Sequence, residues 1–190
     1  MIRDAGELMT IRHLSVATAA LAIICALPQA ASAQAKKKTA EPAAASGPKK
    51  VETYGKWDVY VQSGKTKLCY ALSRPQKRAP TSLKRDDGYI FISSRPAQNV
   101  RNEVAVKMGY DVKEDSKPRA EIGSTRFEMV PNGGDLFVRN AAEERPFVAA
   151  LRKGSSLVVH ASSKRGNDTV DTFALTGIGQ ALDRLAKECQ

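Results

Sequence analysis

The sequence predicts a mainly β protein: a single antiparallel β-sandwich or partly open barrel with two short helices, one of them at the C-terminus. Apolar and polar residues alternate in short segments such as Trp57-Asp58-Val59-Tyr60-Val61-Gln62, and this period of two is typical of half-buried strands. Turn-forming residues separate the segments, as in Pro131-Asn132-Gly133-Gly134-Asp135. Only residues 142–153 and 177–188 show helical spacing.

The strands follow one another along the chain. The first is predicted over residues 57–62, and a turn at Ser63-Gly64-Lys65 leads into its hairpin partner over residues 68–72. Residues 74–87 form a polar loop with two prolines. The same alternation predicts further strands over residues 89–93, 102–108, 121–130, 136–139, 156–161 and 169–175.

The two predicted helices differ in how they end. Gly154 follows the first helix, where a terminating residue favours a positive φ. Thr176 precedes the second helix and is expected to cap it. A helical wheel places one apolar stripe on the second helix, which we therefore expect to lie against the sheet; the stripe consists of Ile178, Leu182, Leu185 and Cys189.

Residues 1–33 have the features of a cleaved secretory signal peptide. Arg3 and Arg12 precede a short apolar run over residues 14–27, which is followed by Ala31-Ser32-Ala33. The run is shorter than the roughly 20 residues needed to span a bilayer, so cleavage is expected rather than a membrane anchor. The protein is predicted to be periplasmic, outer-membrane associated or secreted, with no stable transmembrane span after cleavage.

Two further alternatives concern this leader. Ile24-Cys25 has a superficial likeness to a lipoprotein attachment site, but the residue before such a cysteine is small, and isoleucine is bulky. Met9 is a second candidate start, since Arg12 still supplies a positive charge before the apolar run. Both Met1 and Met9 remain open as starts.

Residues 34–53 are predicted to be a disordered basic tether, and residues 54–190 the folded domain. The tether is rich in Ala, Lys and Pro and lacks aromatic residues. A segment of this composition buries too little apolar area to offset the entropy lost on ordering.

The cysteines predict one disulfide. Cleavage after Ala33 removes Cys25 and leaves Cys69 and Cys189. Exported proteins with paired cysteines form structural disulfides in an oxidising compartment, and the helical wheel turns Cys189 toward the sheet that carries Cys69. Two unpaired buried thiols are the alternative.

The net charge predicts an anionic partner. The chain has 30 Lys and Arg against 20 Asp and Glu, a formal charge of +10. An exported basic protein is attracted to anionic envelope or host surfaces, although positive charge can also serve solubility alone. Nucleic acid is not expected, because no nucleic-acid motif occurs. The predicted contact region is a set of loop residues that can equally be ordinary loop charges: Arg74, Lys77, Arg78, Lys84 and Arg85.

The sequence predicts no catalytic, metal or cofactor site. His160 would be the only histidine after cleavage, and alternation places it opposite Leu157 and Val159 on the outer face of its strand. One histidine and two paired cysteines cannot complete a zinc site, and no G-x-S-x-G motif occurs. Gly177-Ile178-Gly179 lacks the third glycine of a dinucleotide fingerprint, because Leu182 stands in its place.

Six short strings, in this order and spacing, resemble the invasion-associated locus B family of exported bacterial proteins. They are Tyr54-Gly55-Lys56-Trp57-Asp58-Val59-Tyr60, Cys69-Tyr70-Ala71-Leu72-Ser73, Phe91-Ile92-Ser93-Ser94-Arg95-Pro96, Val100-Arg101-Asn102-Glu103-Val104, Asn140-Ala141-Ala142-Glu143-Glu144 and Ala181-Leu182-Asp183-Arg184-Leu185. The resemblance implies an alphaproteobacterial envelope protein, with host-cell entry as the role of some relatives, and it carries no enzymatic residue. Many invasion members have a further cysteine pair that this chain lacks.

Together these observations predict a non-catalytic exported cell-envelope protein that acts as a binding or interaction module, with host-cell interaction as one role that the resemblance implies. Two alternatives stay open. One is a small envelope hydrolase with an unrecognised site, which requires a pocket with convergent polar groups. The other is a structural or chaperone-like envelope component, which an exposed apolar patch of several hundred Å² would indicate.

Overall fold

The computed structural model describes residues 47–190. This part of the chain contains two α-helices, α1 (Glu144–Lys153) and α2 (Ile178–Glu188), and two short 3-10 helices at Pro96–Gln98 and Ala141–Glu143. Its eleven strands are β1 (Lys49–Tyr54), β2 (Trp57–Gln62), β3 (Leu68–Ser73), β4 (Lys77–Ala79), β5 (Tyr89–Arg95), β6 (Val100–Lys107), β7 (Arg119–Ile122), β8 (Thr125–Asn132), β9 (Asp135–Val138), β10 (Ser156–Ser162) and β11 (Asp168–Ala174).

All eleven strands belong to one antiparallel sheet that does not close. Its order is β1-β2-β3-β5-β6-β9-β8-β7-β10-β11-β4, so β1 and β4 form the two edges. The predicted fold class, mainly β with two helices of which one is C-terminal, is confirmed. The short strand β4 lies within the loop predicted over residues 74–87 and pairs with β11, far along the chain.

The inner face of the sheet holds the core. Trp57 and Val59 of β2 are fully buried, as the alternation predicted. The indole Nε1 of Trp57 donates to the carbonyl oxygen of Ala174 at 3.1 Å, which joins β2 to the end of β11. The predicted apolar stripe of α2 packs into the same core, with Ile178, Leu182 and Leu185 buried.

The strand predicted over residues 121–130 is wrong as a single element. Residues 119–132 form the hairpin β7–β8, in which Ile122 pairs with Thr125 across Gly123 and Ser124. Gly123 has φ +58°, a backbone conformation that glycine adopts readily and that two-residue hairpin turns require. The alternation continues on both sides of this turn, which hid it in the sequence.

The folded domain begins earlier than predicted, because residues 49–53 of the predicted tether belong to β1. This edge strand is almost entirely exposed. Its order comes from pairing with β2 and from polar contacts, including an ion pair of Glu52 with Arg184 at 2.7 Å, and not from apolar burial. The predicted signal peptide, residues 1–33, and the tether before residue 47 lie outside the described residues.

Both predicted helix boundaries need correction. Gly154 follows α1 with φ −81°, an ordinary extended conformation and not a positive one. A Cβ at this position would lie 2.5 Å from Cγ2 of Ile122, so close packing requires the glycine. Thr176 does not cap α2: Gly177 holds the capping position with φ +92° and no side-chain cap bond. There a Cβ would collide with the backbone carbonyl of Tyr54.

The predicted disulfide is confirmed. Cys69 of β3 and Cys189, directly after α2, form a disulfide with their Cα atoms 6.0 Å apart. Both cysteines are buried. The bond fixes the C-terminal end of α2 to the inner face of the sheet across a sequence separation of 120 residues.

Within residues 47–190, neither helix has the length and apolar character needed to cross a membrane.

Candidate functional site

A buried carboxylate lies beneath the loop predicted as the contact region. Asp171 of β11 is fully buried. Its Oδ2 accepts from Nε of Arg78 at 3.1 Å, and its Oδ1 accepts from Nη1 of Arg85 at 2.8 Å. A charge taken out of water is tolerated where paired and hydrogen-bonded partners compensate it. Two arginines from the loop supply that compensation.

Arg78 also fixes the backbone around it. Its Nη1 donates to the carbonyl oxygen of Asp86 at 2.7 Å, and its Nη2 donates to that of Met108 at 2.7 Å. The guanidinium thus joins β4, the loop and the end of β6 to Asp171. Arg78 and Arg85, two of the five predicted contact residues, therefore turn inward and position the loop.

The other three predicted contact residues face solvent. Arg74 donates to Asp87 at 2.8 Å and lies over the ring of Tyr89, 4.8 Å from its centroid. This hydrogen bond from Arg74, with a second from Tyr89, lowers the pKa of the Asp87 carboxyl. Lys77 and Lys84 are exposed, and neither forms an ion pair with a carboxylate of the described residues. Only these two loop cations are thus left uncompensated.

A cleft of about 450 Å³ lies beside this loop. We call it the loop cleft. Its walls are residues 82–86, residues 109–111, the turn between β10 and β11 at residues 163–167, and Thr169 of β11. Its rim carries three exposed cations, Lys84, Lys164 and Arg165, and two exposed carboxylates, Asp86 and Asp111. Lys164 is only 3.8 Å from carboxylate oxygens of Asp111 and Glu114, at the limit of an ion pair.

The floor of the loop cleft is ordered by hydrogen bonds. The hydroxyl of Thr169 donates to the carbonyl oxygen of Ala161 at 3.1 Å, so the hydroxyl of Tyr110 donates to Thr169. Burial raises the pKa of Tyr110 above its ordinary value. Arg85 lies 5.9 Å from the centroid of the Tyr110 ring. The floor is thus polar and preorganised, with cations above it.

Sequence reasoning found part of this site. Lys84 and Arg85 were among the predicted contact residues, but Lys164, Arg165 and Asp171 were not. Lys164 and Arg165 could be recognised in the sequence as exposed cations, because they stand in a predicted turn. Nothing in the sequence placed that turn beside the loop, since 80 residues separate Lys84 from Lys164.

Few side chains in the described residues are placed to act as a general acid or base at the loop cleft. His160 lies on the outer face of β10, as predicted, with its Nε2 3.5 Å from Oε2 of Glu121 and away from the loop cleft. Both carboxylate oxygens of Asp171 are occupied by guanidinium donors. Among residues 47–190, no three His, Cys, Asp or Glu side chains come together as a metal site.

A row of aromatic side chains covers the outer face of β2, β3 and β5. The rings of Tyr60 and Tyr70 are stacked with centroids 5.0 Å apart. Phe91 follows at 5.9 Å from Tyr70, and Tyr89 at 5.8 Å from Phe91. These half-buried rings cover one another on the outer face of the sheet.

Comparison of the chain with protein-family models, with curated proteins and with solved structures gave no match. The resemblance to the invasion-associated locus B family therefore stays a prediction, and the function is inferred from the geometry of the chain itself.

Proposed function

We propose that this protein is an exported, non-catalytic cell-envelope module that binds an anionic partner at the loop cleft and the adjacent loop. One observation carries the proposal. The two inward arginines neutralise Asp171. Of the three rim cations, Lys164 lies near Asp111 and Glu114, and Lys84 and Arg165 are presented to solvent without an ion pair to any described residue. Cations held beside a concave, polar surface attract an anionic group.

The disulfide and the leader support export. Structural disulfides form and persist in oxidising compartments such as the bacterial periplasm. The bond between Cys69 and Cys189 joins two elements of the folded core, and the first 33 residues have the pattern of a secretory signal. The family resemblance points to the same location.

Binding is favoured over the two alternatives. A hydrolase needs a base free to accept a proton, and the buried carboxylate next to the loop cleft has both oxygens bound to arginines. A chaperone-like surface needs a large exposed apolar patch. In the described part of the chain, Val51 is the only exposed large apolar side chain, at 38%, and three of the four half-buried rings in the aromatic row are tyrosines, which carry a hydroxyl.

The binding test uses vesicles that contain phosphatidylglycerol. The variant Lys84→Gln/Arg165→Gln removes two rim cations, and we expect several-fold weaker vesicle binding at 50 mM salt. Lys65→Gln/Arg145→Gln removes one lysine and one arginine that are exposed elsewhere and is expected to bind nearly as the parent does. Binding should be lost at 500 mM salt, because screening then acts over about 4 Å. Salt-insensitive binding, or equal loss in the control variant, would contradict the proposal.

The location test compares two forms of the gene in a bacterial host. The full chain is expected in the periplasmic fraction, shortened by 33 residues and resistant to thiol alkylation. A form that begins at Gln34, with an added start methionine, is expected in the cytosol with alkylatable thiols after unfolding. A full chain that stays cytosolic and uncleaved would contradict export.

A further inference from the structure

A second basic surface lies on the outer face of the hairpin β7–β8. Lys117, Arg119, Arg126 and Arg139 line a cleft of about 550 Å³ together with Glu128. We call this surface the hairpin groove. It shares no charged residue with the loop cleft.

The hairpin register explains why these side chains meet. Arg119 pairs with Glu128, and Glu121 with Arg126. Because side chains alternate between the two faces, the intervening residues Ala120 and Phe127 point into the core, and the charged ones point outward. The backbone N–H of Arg139 donates to the carbonyl oxygen of Glu128 at 3.0 Å, which brings the residue after β9 to the same place.

The hairpin groove keeps an excess of positive charge. Glu121 accepts from Nε of Arg119 at 2.9 Å and lies 3.2 Å from Nη2 of Arg126. Glu128 lies 3.0 Å from Nε of Arg139. Two carboxylates thus face four cations, and Lys117 is exposed without an ion pair to any described residue. Each guanidinium has five N–H donors, so most of them stay available to a ligand.

The groove is longer than a single anion requires. A smaller cleft of about 250 Å³ also contains Lys117 and Arg119 and extends to His160 on β10. Asp168 borders this end and accepts a hydrogen bond from Ser162 at 2.5 Å. Strands lie about 4.8 Å apart, so the run from β9 across β8 and β7 to β10 spans roughly 14 Å. That length suits a chain of repeated negative charges.

We propose that the hairpin groove binds an extended anionic polysaccharide that carries phosphate or sulfate groups. The guanidinium group of arginine forms bidentate hydrogen bonds with the oxygens of phosphate and sulfate groups. Single-stranded nucleic acid fits less well, because its binding sites combine cations with aromatic rings that stack on bases. Among the described residues, the hairpin groove has no Phe, Tyr or Trp ring, and the imidazole of His160 at the β10 end is the one ring beside it. The aromatic row lies on β2, β3 and β5, at the other end of the sheet. The preference for a glycan also rests on the proposed envelope location.

The test measures binding of dextran sulfate, a phosphomannan and a 30-nucleotide oligothymidylate at 50 mM salt. Arg126→Gln/Arg139→Gln removes two exposed arginines of the groove, at 65% and 48% side-chain exposure. We expect about tenfold weaker binding of both polysaccharides. Arg145→Gln/Arg152→Gln removes two exposed arginines of α1 and is the charge-matched control, with binding close to the parent. Thermal unfolding of each variant verifies that the fold is intact.

Other outcomes separate this inference from the proposed function. If Arg126→Gln/Arg139→Gln keeps parental polysaccharide binding, or loses no more than the control, the groove assignment is overturned even where vesicle binding through Lys84 and Arg165 persists. Polysaccharide binding through the groove, with no vesicle binding at the loop cleft, supports the inference and removes the proposed function. Oligothymidylate bound as tightly through the same arginines would overturn the choice of a glycan.

Discussion

Asp171 determines how the loop before β5 is held. Its carboxylate is fully buried and receives two guanidinium donors, one of which also binds the backbone of residues 86 and 108. A buried ion pair offsets its own desolvation cost only in part. The main effect of these ion pairs is therefore to fix the position of the loop, and their net contribution to stability is small. A loop fixed in this way keeps Lys84 at the rim of the loop cleft.

Removing the Asp171 charge should destabilise the protein strongly. Asp171→Asn leaves Arg78 and Arg85 without their counter-charge, and breaking a buried pair by removing one partner costs about 3–5 kcal/mol. The free energy of unfolding in urea measures this loss. Asp183→Asn breaks the exposed pair of Asp183 with Arg152 and should cost less than about 1 kcal/mol. Equal effects of the two substitutions would refute the role of Asp171.

A pH dependence is expected at Glu121. The hydrogen bond from Arg119, helped by the charges of His160 and Arg126, holds the pKa of this carboxyl below its ordinary value of 4.5. Because the folded-state pKa is the lower one, the stabilisation is present above pH 4.5 and lost as pH falls through the folded value. Glu121→Gln should be less stable than the parent by under about 1 kcal/mol at pH 7.

The measurement for Glu121 is the difference in unfolding free energy between parent and variant from pH 2 to pH 7. It should be constant near neutrality and shrink in acid. A difference that grows as pH falls would reverse the assigned direction of the pKa shift.

The strands show which local patterns predict structure and which do not. Clean alternation placed Trp57 and Val59 in the core correctly. In β11 the order Val170-Asp171-Thr172-Phe173 offers no such guide, because a charged residue shares the inner face with Phe173. Only the distant arginines make that burial possible, so the sequence predicted the loop cations but not their partner.

The other missed elements have the same kind of cause. β1 and β4 are sheet edges with little apolar surface of their own. β1 is ordered by hairpin pairing with the neighbouring strand β2, and β4 by pairing with the distant strand β11. The cations of the hairpin groove were present in the sequence, but a single strand over residues 121–130 could not bring Arg119 beside Glu128. Recognising the turn at Gly123 would have been sufficient to find that surface.

Packing at the end of α1 should tolerate no added side chain. Gly154→Ala would place Cβ 2.5 Å from Ile122 Cγ2 and 3.0 Å from Leu175 Cδ1, and such overpacking costs about 1–3 kcal/mol.

Gly179 in α2 is the opposite case, because its nearest neighbour is a side-chain nitrogen at 4.0 Å. Gly179→Ala should stabilise the protein by about 0.5 kcal/mol through helix propensity. Urea unfolding measures both, and a stabilising Gly154→Ala would show that the site is not closely packed.

At the scale of the whole molecule, the disulfide joins the third strand to the last helix. The pairing of the two cysteines could be predicted from the sequence. Removal of the leader leaves only Cys69 and Cys189, and the helical wheel places Cys189 on the side of the last helix that faces the sheet. A closed loop with a sequence separation of 120 residues restricts the unfolded chain strongly in the entropy model of disulfide stabilisation.

Removing the disulfide should lower the free energy of unfolding. Cys69→Ser/Cys189→Ser is expected to lose about 4–5 kcal/mol, seen as a lower urea midpoint. Dithiothreitol should lower the midpoint of the parent by a similar amount and leave the double variant unchanged. A parent that is insensitive to reductant under unfolding conditions would contradict this contribution.

The strand register also determines which end of the domain points away from a surface to which a terminus is tethered. Lys49 is paired with Val61, and Val61 with Cys69, whose Cα lies 6.0 Å from that of its disulfide partner Cys189. With two strand spacings of about 4.8 Å added, both termini of the described domain leave within roughly 16 Å of each other. Residues 74–87 extend from the opposite end of β3, about 17 Å from Cys69. A molecule immobilised through either terminus would therefore hold this loop outward, free to meet a second surface.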